Sequence, residues 1–393
     1  MNLKKYFGPS TLIAAAFIGP GTITTCTIAG VKSGYTLIWA MVFSTLATMI
    51  LQEMSARLGY TTQKGLGEAI NSKFDSGIKR YLTFTLVISA ILIGNAAYEA
   101  GNLSGGTLGM DLIFGEFKYW VLILGAISFA LLYIGKYKWI EKILITLVIA
   151  MSISFLLTAI IVKPDLGDVF RGFIPSNLNK ENLLLIMGII GTTVVPYNLF
   201  LHASTISKKW KNTANLKDIR TENNVSILLG GLISMLIIIT AGANKAALTD
   251  VNSAKDLALQ LQPLVGDSAK ILMGIGLMAA GLSSALTAPL AAAYAAKGLF
   301  GWSEKSIQFK SVWMAILGIG VTFSLLGFKS ITIIKFAQIA NALLLPLIAT
   351  FLIFLCNDKQ LLGKNVNTNT SNILGGVIIL ITLMLSIKTF LII

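Results

Sequence analysis

The sequence predicts an all-α integral membrane protein of eleven spans, two of them broken. Three observations lead there. Hydrophobic residues make up 55% of the 393 residues and charged residues only 12%, more apolar surface and less charge than a soluble domain of this length uses. The apolar residues come in stretches of about 20, the length that crosses a hydrocarbon core of roughly 30 Å. Two stretches carry a helix breaker, at Gly19-Pro20-Gly21-Thr22 and at Val195-Pro196-Tyr197-Asn198.

Taken in order, span 1 covers 9–33 and is interrupted at Pro20. Spans 2 to 5 follow at 36–58, 81–108, 119–135 and 139–162. Span 6 covers 182–207 and is interrupted at Pro196, and spans 7 to 10 lie at 224–243, 269–297, 309–327 and 331–356. Span 11, at 373–391, follows segment 363–372, whose Gly, Asn, Thr and Ser have the composition of a flexible linker. Span 11 is therefore expected to be peripheral. Segments 9–162 and 182–356 each read as one broken helix and four continuous ones. An odd number of crossings turns the second unit over, giving two inverted five-helix repeats. This repeat rests on the positions of the breaks, because the halves share no obvious residue-level similarity. No connection is long enough for a separate soluble domain, so residues 1–393 form a single transmembrane domain.

A broken helix frees backbone N–H and C=O groups that hydrocarbon cannot satisfy, so it is tolerated where it lines a cavity or is covered by protein. Breaks in corresponding positions of two halves mark a transporter's substrate site. The residues just after the first break, Gly21 to Thr25, start a helix, and such an N-terminus presents partial positive charge. Even so, proline often does no more than kink a membrane helix.

The formal net charge is +14, but its distribution argues against a nucleic-acid partner. Lys and Arg gather at Lys4–Lys5, Arg57–Arg80, Lys136–Lys142, Lys208–Arg220, Lys297–Lys310 and Lys359–Lys364, all on one side of the predicted topology. The positive-inside rule then places the N-terminus in the cytoplasm and the C-terminus outside, in a multi-pass protein of the cytoplasmic membrane. Lys4, Lys5 and the apolar run after them have some look of a signal peptide, but the Pro20 break and the next span argue for retention. Cys26 and Cys356 fall in different spans and predict neither a disulfide nor a metal cluster. No nucleotide loop or nucleophile elbow is present, so no enzyme and no cofactor are expected. Without a charged pore ring, paired breaks favour a carrier over a channel.

Glu99 is the one acidic residue placed deep within a span, and Asn95, Tyr98 and Asn102 share its helix face. A charge at mid-bilayer costs roughly 3 kcal/mol on insertion scales, so it faces a cavity or a partner, or stays protonated. His202, the sole histidine, could relay protons or simply pack as a hydrogen-bonded residue. Glu53 and Arg57, four apart, suit a local ion pair. Ser283, Ser284 and Thr287 stand among small residues that allow close packing, the default reading, with a Na⁺ site as the alternative.

At several of these residues the chain resembles the Nramp (natural resistance-associated macrophage protein) family of proton-coupled divalent-metal transporters. The resemblance runs from Gly19-Pro20-Gly21 through Gly34-Tyr35 to Leu51-Gln52-Glu53-Met54-Ser55-Ala56-Arg57-Leu58-Gly59. It continues through Gly191-Thr192-Thr193-Val194-Val195-Pro196-Tyr197-Asn198-Leu199-Phe200-Leu201-His202-Ala203-Ser204, then Gly281-Leu282-Ser283-Ser284 and Gln338. It implies a LeuT-like fold with broken helices 1 and 6 plus an eleventh helix, and proton-coupled symport by alternating access. It also implies a proton route through Glu99, with the retained helix 6 histidine His202; Asn95, on the Glu99 face, is the further candidate for that route. Two departures stand out. The family's Asp-Pro-Gly-Asn is Gly19-Pro20-Gly21-Thr22 here, and its Met-Pro-His is Val195-Pro196-Tyr197.

The expected substrate-binding set is therefore Gly19, Gly21, Thr22, Thr192, Val195, Tyr197, Asn198 and Gln338, with Thr22 and Gln338 as candidate metal ligands. None carries a formal charge. Divalent cations normally take at least one anionic oxygen, and softer metals favour nitrogen or sulfur. A cation that keeps most of its water shell suits this set better than a stripped one. An amino acid, a small organic acid or another polar solute is the alternative, and a non-transporting sensor or binding protein a second. Expected partners are that ion or small molecule, protons and the lipid bilayer.

Overall fold

The computed structural model describes residues 18–391 apart from 75, 136–137, 177, 211–214, 246–247 and 249. The sequence lays down helices wherever it predicts spans. They are α1 (Pro20–Ser33), α2 (Ile38–Thr62), α3 (Gly77–Phe114), α4 (Trp120–Ile134), α5 (Lys138–Ile161) and α6 (Lys180–Thr193). After the second break come α7 (Pro196–Lys209), α8 (Leu216–Ala243), α9 (Ala269–Phe300), α10 (Ile307–Leu325), α11 (Ser330–Cys356) and α12 (Asn369–Phe390). Nine helical stretches among the described residues are long and apolar enough to cross a membrane, α6 and α7 counting together as one. The half of span 1 before Ile18, and Lys4 and Lys5, lie outside the described residues.

Local chemistry sets the helix ends. Pro20 and Pro196 each open a helix at its first position, where the missing N–H costs nothing. The side chains of Asn179, Asn215 and Ser306 accept from backbone N–H groups three residues on, starting α6, α8 and α10. At the second break, the Val194 N–H reaches back to the Ile190 carbonyl at 2.8 Å and closes α6.

Helix α3 is the centre of the bundle and packs against α9, α10 and α11. Its 38 residues span about 57 Å at 1.5 Å per residue. Gly281 of α9 lies so close to α3 that a Cβ on it would sit 2.6 Å from the Gly106 backbone. Small residues let membrane helices approach in this way. Large apolar side chains on the perimeter of α4, α5, α8 and α12, such as Leu122, Ile153, Leu229 and Leu380, are exposed, as a lipid-facing belt requires.

Two sequence expectations change. Segment 363–372 is no loose linker: its last four residues open α12, and the Arg57 guanidinium donates to the Asn365 carbonyl and the Asn367 Oδ1, both at 2.6 Å. Asparagines disguised an ordered strap as a flexible one. Span 7 also begins earlier than hydropathy suggests, so α8 carries buried Glu222 and Asn223 into the bundle. Glu99 is therefore not the chain's sole buried acid.

Candidate functional site between the two breaks

The two interrupted segments meet. Thr22, in the first turn of α1, and Thr192, in the last turn of α6, share a buried hydroxyl–hydroxyl hydrogen bond of 2.8 Å. Gln338 of α11 straddles them. Its side-chain amide lies over Gly21, where a Cβ would overlap it, and its backbone carbonyl is pressed against Gly191 with no room for a Cβ. Glycine at 21 and 191 is thus what allows three helices to converge on one point. Tyr98 of α3 stands beside Thr192 and packs edge-on to Tyr197 of α7, ring centroids 5.4 Å apart. Tyr197 in turn lies close to Thr287 and Glu99.

Around this point several buried polar atoms have no hydrogen-bond partner: Thr24 and Thr25 Oγ1, Tyr197 Oη, both amide atoms of Asn198, Glu99 Oε1, Gln338 Oε1 and Asn341 Nδ2. Each such group costs roughly 1–3 kcal/mol of stability. A cluster of them at mid-bundle means that these side chains are kept for something other than packing. The chemistry they offer is neutral: amide and hydroxyl oxygens, with the Glu99 carboxyl set behind the tyrosine pair. Among the described residues, no group of three or more His, Cys, Asp or Glu is placed to hold a metal ion.

Other predicted site residues are engaged elsewhere. The Gly19 carbonyl accepts from Ile23 N at 3.2 Å and the Val195 carbonyl from Asn198 N at 3.1 Å, while Thr48 donates to the Thr193 carbonyl at 3.2 Å. The freed carbonyls are therefore partly taken, and the Val195 side chain joins an apolar cluster. Asn95 donates to the Ala288 carbonyl at 3.2 Å. His202 is buried, with Nδ1 2.8 Å from Gln52 Oε1. Thr287 donates to the Ser283 and Ser284 carbonyls of its own helix.

The two faces of the bundle differ. At the face bearing Ser33, a cavity of about 140 Å³ descends between α1, α6 and α11, lined by Lys32, Glu181, Lys335, Gly188 and Thr25. It stops one turn short of the Thr22–Thr192 bridge. At the opposite face, bearing Lys208, α2 and α7 are sealed together. Ser55 donates to the Leu199 carbonyl at 2.5 Å, and Gly59 abuts the Ala203 backbone. Beyond the seal runs a chain of ion pairs, Lys208–Glu304 (2.6 Å), Glu304–Lys297 (3.3 Å) and Lys297–Glu68 (3.2 Å). Sequence reasoning passed over Asn341, Gln52 and the vestibule charges. Asn341 had a signal, lying three residues from Gln338 on the same helix face.

Residues 10–392 match the family model described as natural resistance-associated macrophage protein-like. The chain belongs to the Nramp family. It is 28% identical over 379 residues to the divalent metal cation transporter MntH of Agrobacterium fabrum, covering 91% of this chain and 81% of that one. Its fold superposes on the manganese transporter of Eremococcus coleocola with a TM-score of 0.80 at 21% identity, covering 98% of this chain and 86% of that one. It also superposes on MhsT, solved with L-phenylalanine, with a TM-score of 0.61 at 15% identity over 100% of this chain and 98% of that one. The fold is thus LeuT-like, and this Nramp protein is an integral membrane protein of a transporter family, not an enzyme.

Proposed function

We propose that this Nramp protein is a secondary transporter that moves a divalent metal cation in largely hydrated form, coupled to protons. The observation that carries the reading is the cluster of unpartnered neutral oxygens where Gln338 bridges both breaks. Amide and hydroxyl oxygens cannot replace the full hydration shell of a divalent ion, but they can accept hydrogen bonds from its bound water. Mg²⁺ in particular keeps its water reluctantly displaced. Thr22, Asn198 and Gln338 would face the hydrated ion, and Glu99 would take up the coupled proton behind the Tyr98–Tyr197 pair. The two five-helix units, 9–162 and 182–356, would rock about this point. The Ser33 face would then be external and the Lys208 face cytoplasmic, in keeping with the lysines and arginines gathered at the latter. The printed names of the relatives, MntH and a manganese transporter, support the cation class.

One observation favours a second reading. Lys32 and Lys335 line the vestibule, and α1 begins at the site with its N–H groups forward, which suits a carboxylate-bearing solute. Calorimetry on the purified protein with Mn²⁺, Mg²⁺ and a panel of amino and organic acids separates the two. Heat from a metal that disappears in Gln338→Ala supports the cation. Heat from a carboxylate alone overturns it.

A further inference from the structure

The segment between α8 and α9 winds through short helical turns, Ala254–Ala258, Leu259–Leu261, Gln262–Val265 and Gly266–Ser268. With the end of α8 and one flank of α1, it borders a cavity of about 500 Å³. The walls are mainly apolar, from Val31 of α1, Ala241 of α8, Leu248, Leu259 and Pro263, and the polar lining consists of the amides of Asn244, Gln260 and Gln262. Among the described residues no charged side chain lines it. A concave, largely apolar space of this size with a few placed polar groups is the usual form of a small-molecule site. It is also distinct from the vestibule. The vestibule takes Thr25, Ile28 and Lys32 from one face of α1, whereas this cavity takes Val31, which shares a different face with Thr27. The two cavities share no lining residue.

The amides specify what the cavity can take. The Thr27 hydroxyl commits its single proton to the Ile23 carbonyl, so towards Gln260 it can only accept. Gln260 must therefore turn its amide nitrogen to Thr27, which fixes the two ends of that amide. Its Oε1 remains as an acceptor without a partner, on a residue only 1% exposed. Asn244 supplies the complement, a buried Nδ2 donor that also has no partner. The cavity thus offers an acceptor, a donor and apolar walls. A cation would meet no carboxylate there, and an anion no ammonium. A purely aliphatic ligand would leave both amides unpaired, the costly outcome for buried polar groups. A ring that carries both N–H and C=O can satisfy them while its carbon face suits Val31, Leu259 and Pro263.

We propose that this cavity binds a small neutral cyclic amide or ureide, away from the cargo site, and that its occupancy slows transport by strengthening the hold of Gln260 on α1. A hydrogen bond accepted at Oε1 polarises the amide and so reinforces the N–H that the same amide gives to Thr27. The ligand would bridge Gln260 to Asn244 at the end of α8, tying α1 more firmly to both. A broken helix that must shift as the two units rock then moves less readily. The effect on rate presupposes the proposed metal transport; the binding does not.

The test uses the purified full chain with oxindole, a bicyclic lactam, and with N-methyloxindole, which lacks the N–H. Calorimetry is expected to show oxindole binding and N-methyloxindole weaker by about tenfold, the equivalent of one hydrogen bond to a buried group. Asn244→Leu, which removes the donor, is expected to weaken oxindole by a similar factor. Leu259→Trp, which fills the cavity from its exposed wall, is expected to abolish binding, and either variant serves should the other fold poorly. In proteoliposomes, saturating oxindole is expected to lower the maximal rate of Mn²⁺ or Mg²⁺ uptake severalfold, with the half-saturating metal concentration unchanged. Leu259→Trp should lose that inhibition. No heat from oxindole, or heat that survives both substitutions, would overturn the site. Inhibition relieved by raising the metal concentration would place the ligand in the cargo path and overturn it equally, and uptake indifferent to saturating oxindole would overturn the restraint on α1. Protein that takes up neither metal without oxindole would instead remove the transport reading, with calorimetry still deciding the site.

Discussion

The belt at mid-bundle and the rim at the Lys208 face handle polar groups in opposite ways. At the rim, Arg57 meets Glu53 at 3.1 Å, the Asn365 carbonyl and Asn367, while Glu53 also holds Arg220 at 2.7 Å. Glu304 is shared by Lys208 and Lys297. In the belt, Gln338, Asn198 and Tyr197 keep atoms with no partner although they are almost fully buried. Paired groups hold the helices where they are. Unpaired ones lower stability, and on the proposed reading those gathered between the two breaks face the cargo. On that reading, stability rests with the rim and cargo handling with the belt.

Substitutions sharpen this contrast. The largest effect on folding is expected at Arg57→Leu, which strips the strap at 363–368 and leaves Glu53 half-compensated. Breaking a buried pair typically costs about 3–5 kcal/mol, read as a lower Tm in detergent, with metal affinity intact in the molecules that remain folded. Gly191→Val comes next. Its side chain would drive α6 away from the Gln338 carbonyl, and overpacking of this kind costs about 1–3 kcal/mol, here with loss of binding as well. Gln338→Leu is the discriminating case. An unsatisfied amide exchanged for an apolar side chain of similar shape is nearly neutral for stability, so Tm should hold within the equivalent of about 1 kcal/mol while calorimetric metal binding falls at least tenfold. A large drop in Tm there would erase the distinction between belt and rim.

The smallest effect concerns acidity. Burial alone would raise the Glu304 carboxyl, but the Lys208 and Lys297 ammoniums outweigh it and hold the group below the usual carboxylate range. Its contribution is therefore present at neutral pH and is lost as pH falls through the lowered value. For a pair this exposed, the stake is about 0–1 kcal/mol. Glu304→Gln should lower Tm slightly at pH 7 and match the unmodified protein once the carboxyl is protonated, as melting curves across pH 3–7 would record.

Much of this was legible in the residues. Span positions from the second onward, the helix starts at Pro20 and Pro196 and the Glu53–Arg57 pair followed from hydropathy, proline and spacing. Gln338 and Thr192 emerged from the family resemblance, and the fold sets Gln338 against Gly191, the neighbour of Thr192. What stayed hidden was long-range. Nothing near Thr22 announces Thr192 as its partner across 170 positions, and nothing at Arg57 announces that asparagines some 310 residues later will receive it. Nor did the sequence reveal that carbonyls freed at Gly19 and Val195 would find donors within a turn, because that depends on how tightly the chain winds after each proline. Glu222 escaped notice because a charged helix start reads as a surface loop.

One contact at the Ser33 face reaches further than its size suggests. Gln260, in the segment that joins α8 to α9, donates to the Thr27 hydroxyl at 2.5 Å, and that hydroxyl donates in turn to the Ile23 carbonyl at 2.6 Å. The helical connection between α8 and α9 is thereby stapled to the middle of α1. An antibody fragment that gripped this connection would immobilise α1 by leverage, arresting turnover without ever entering the path of the ion.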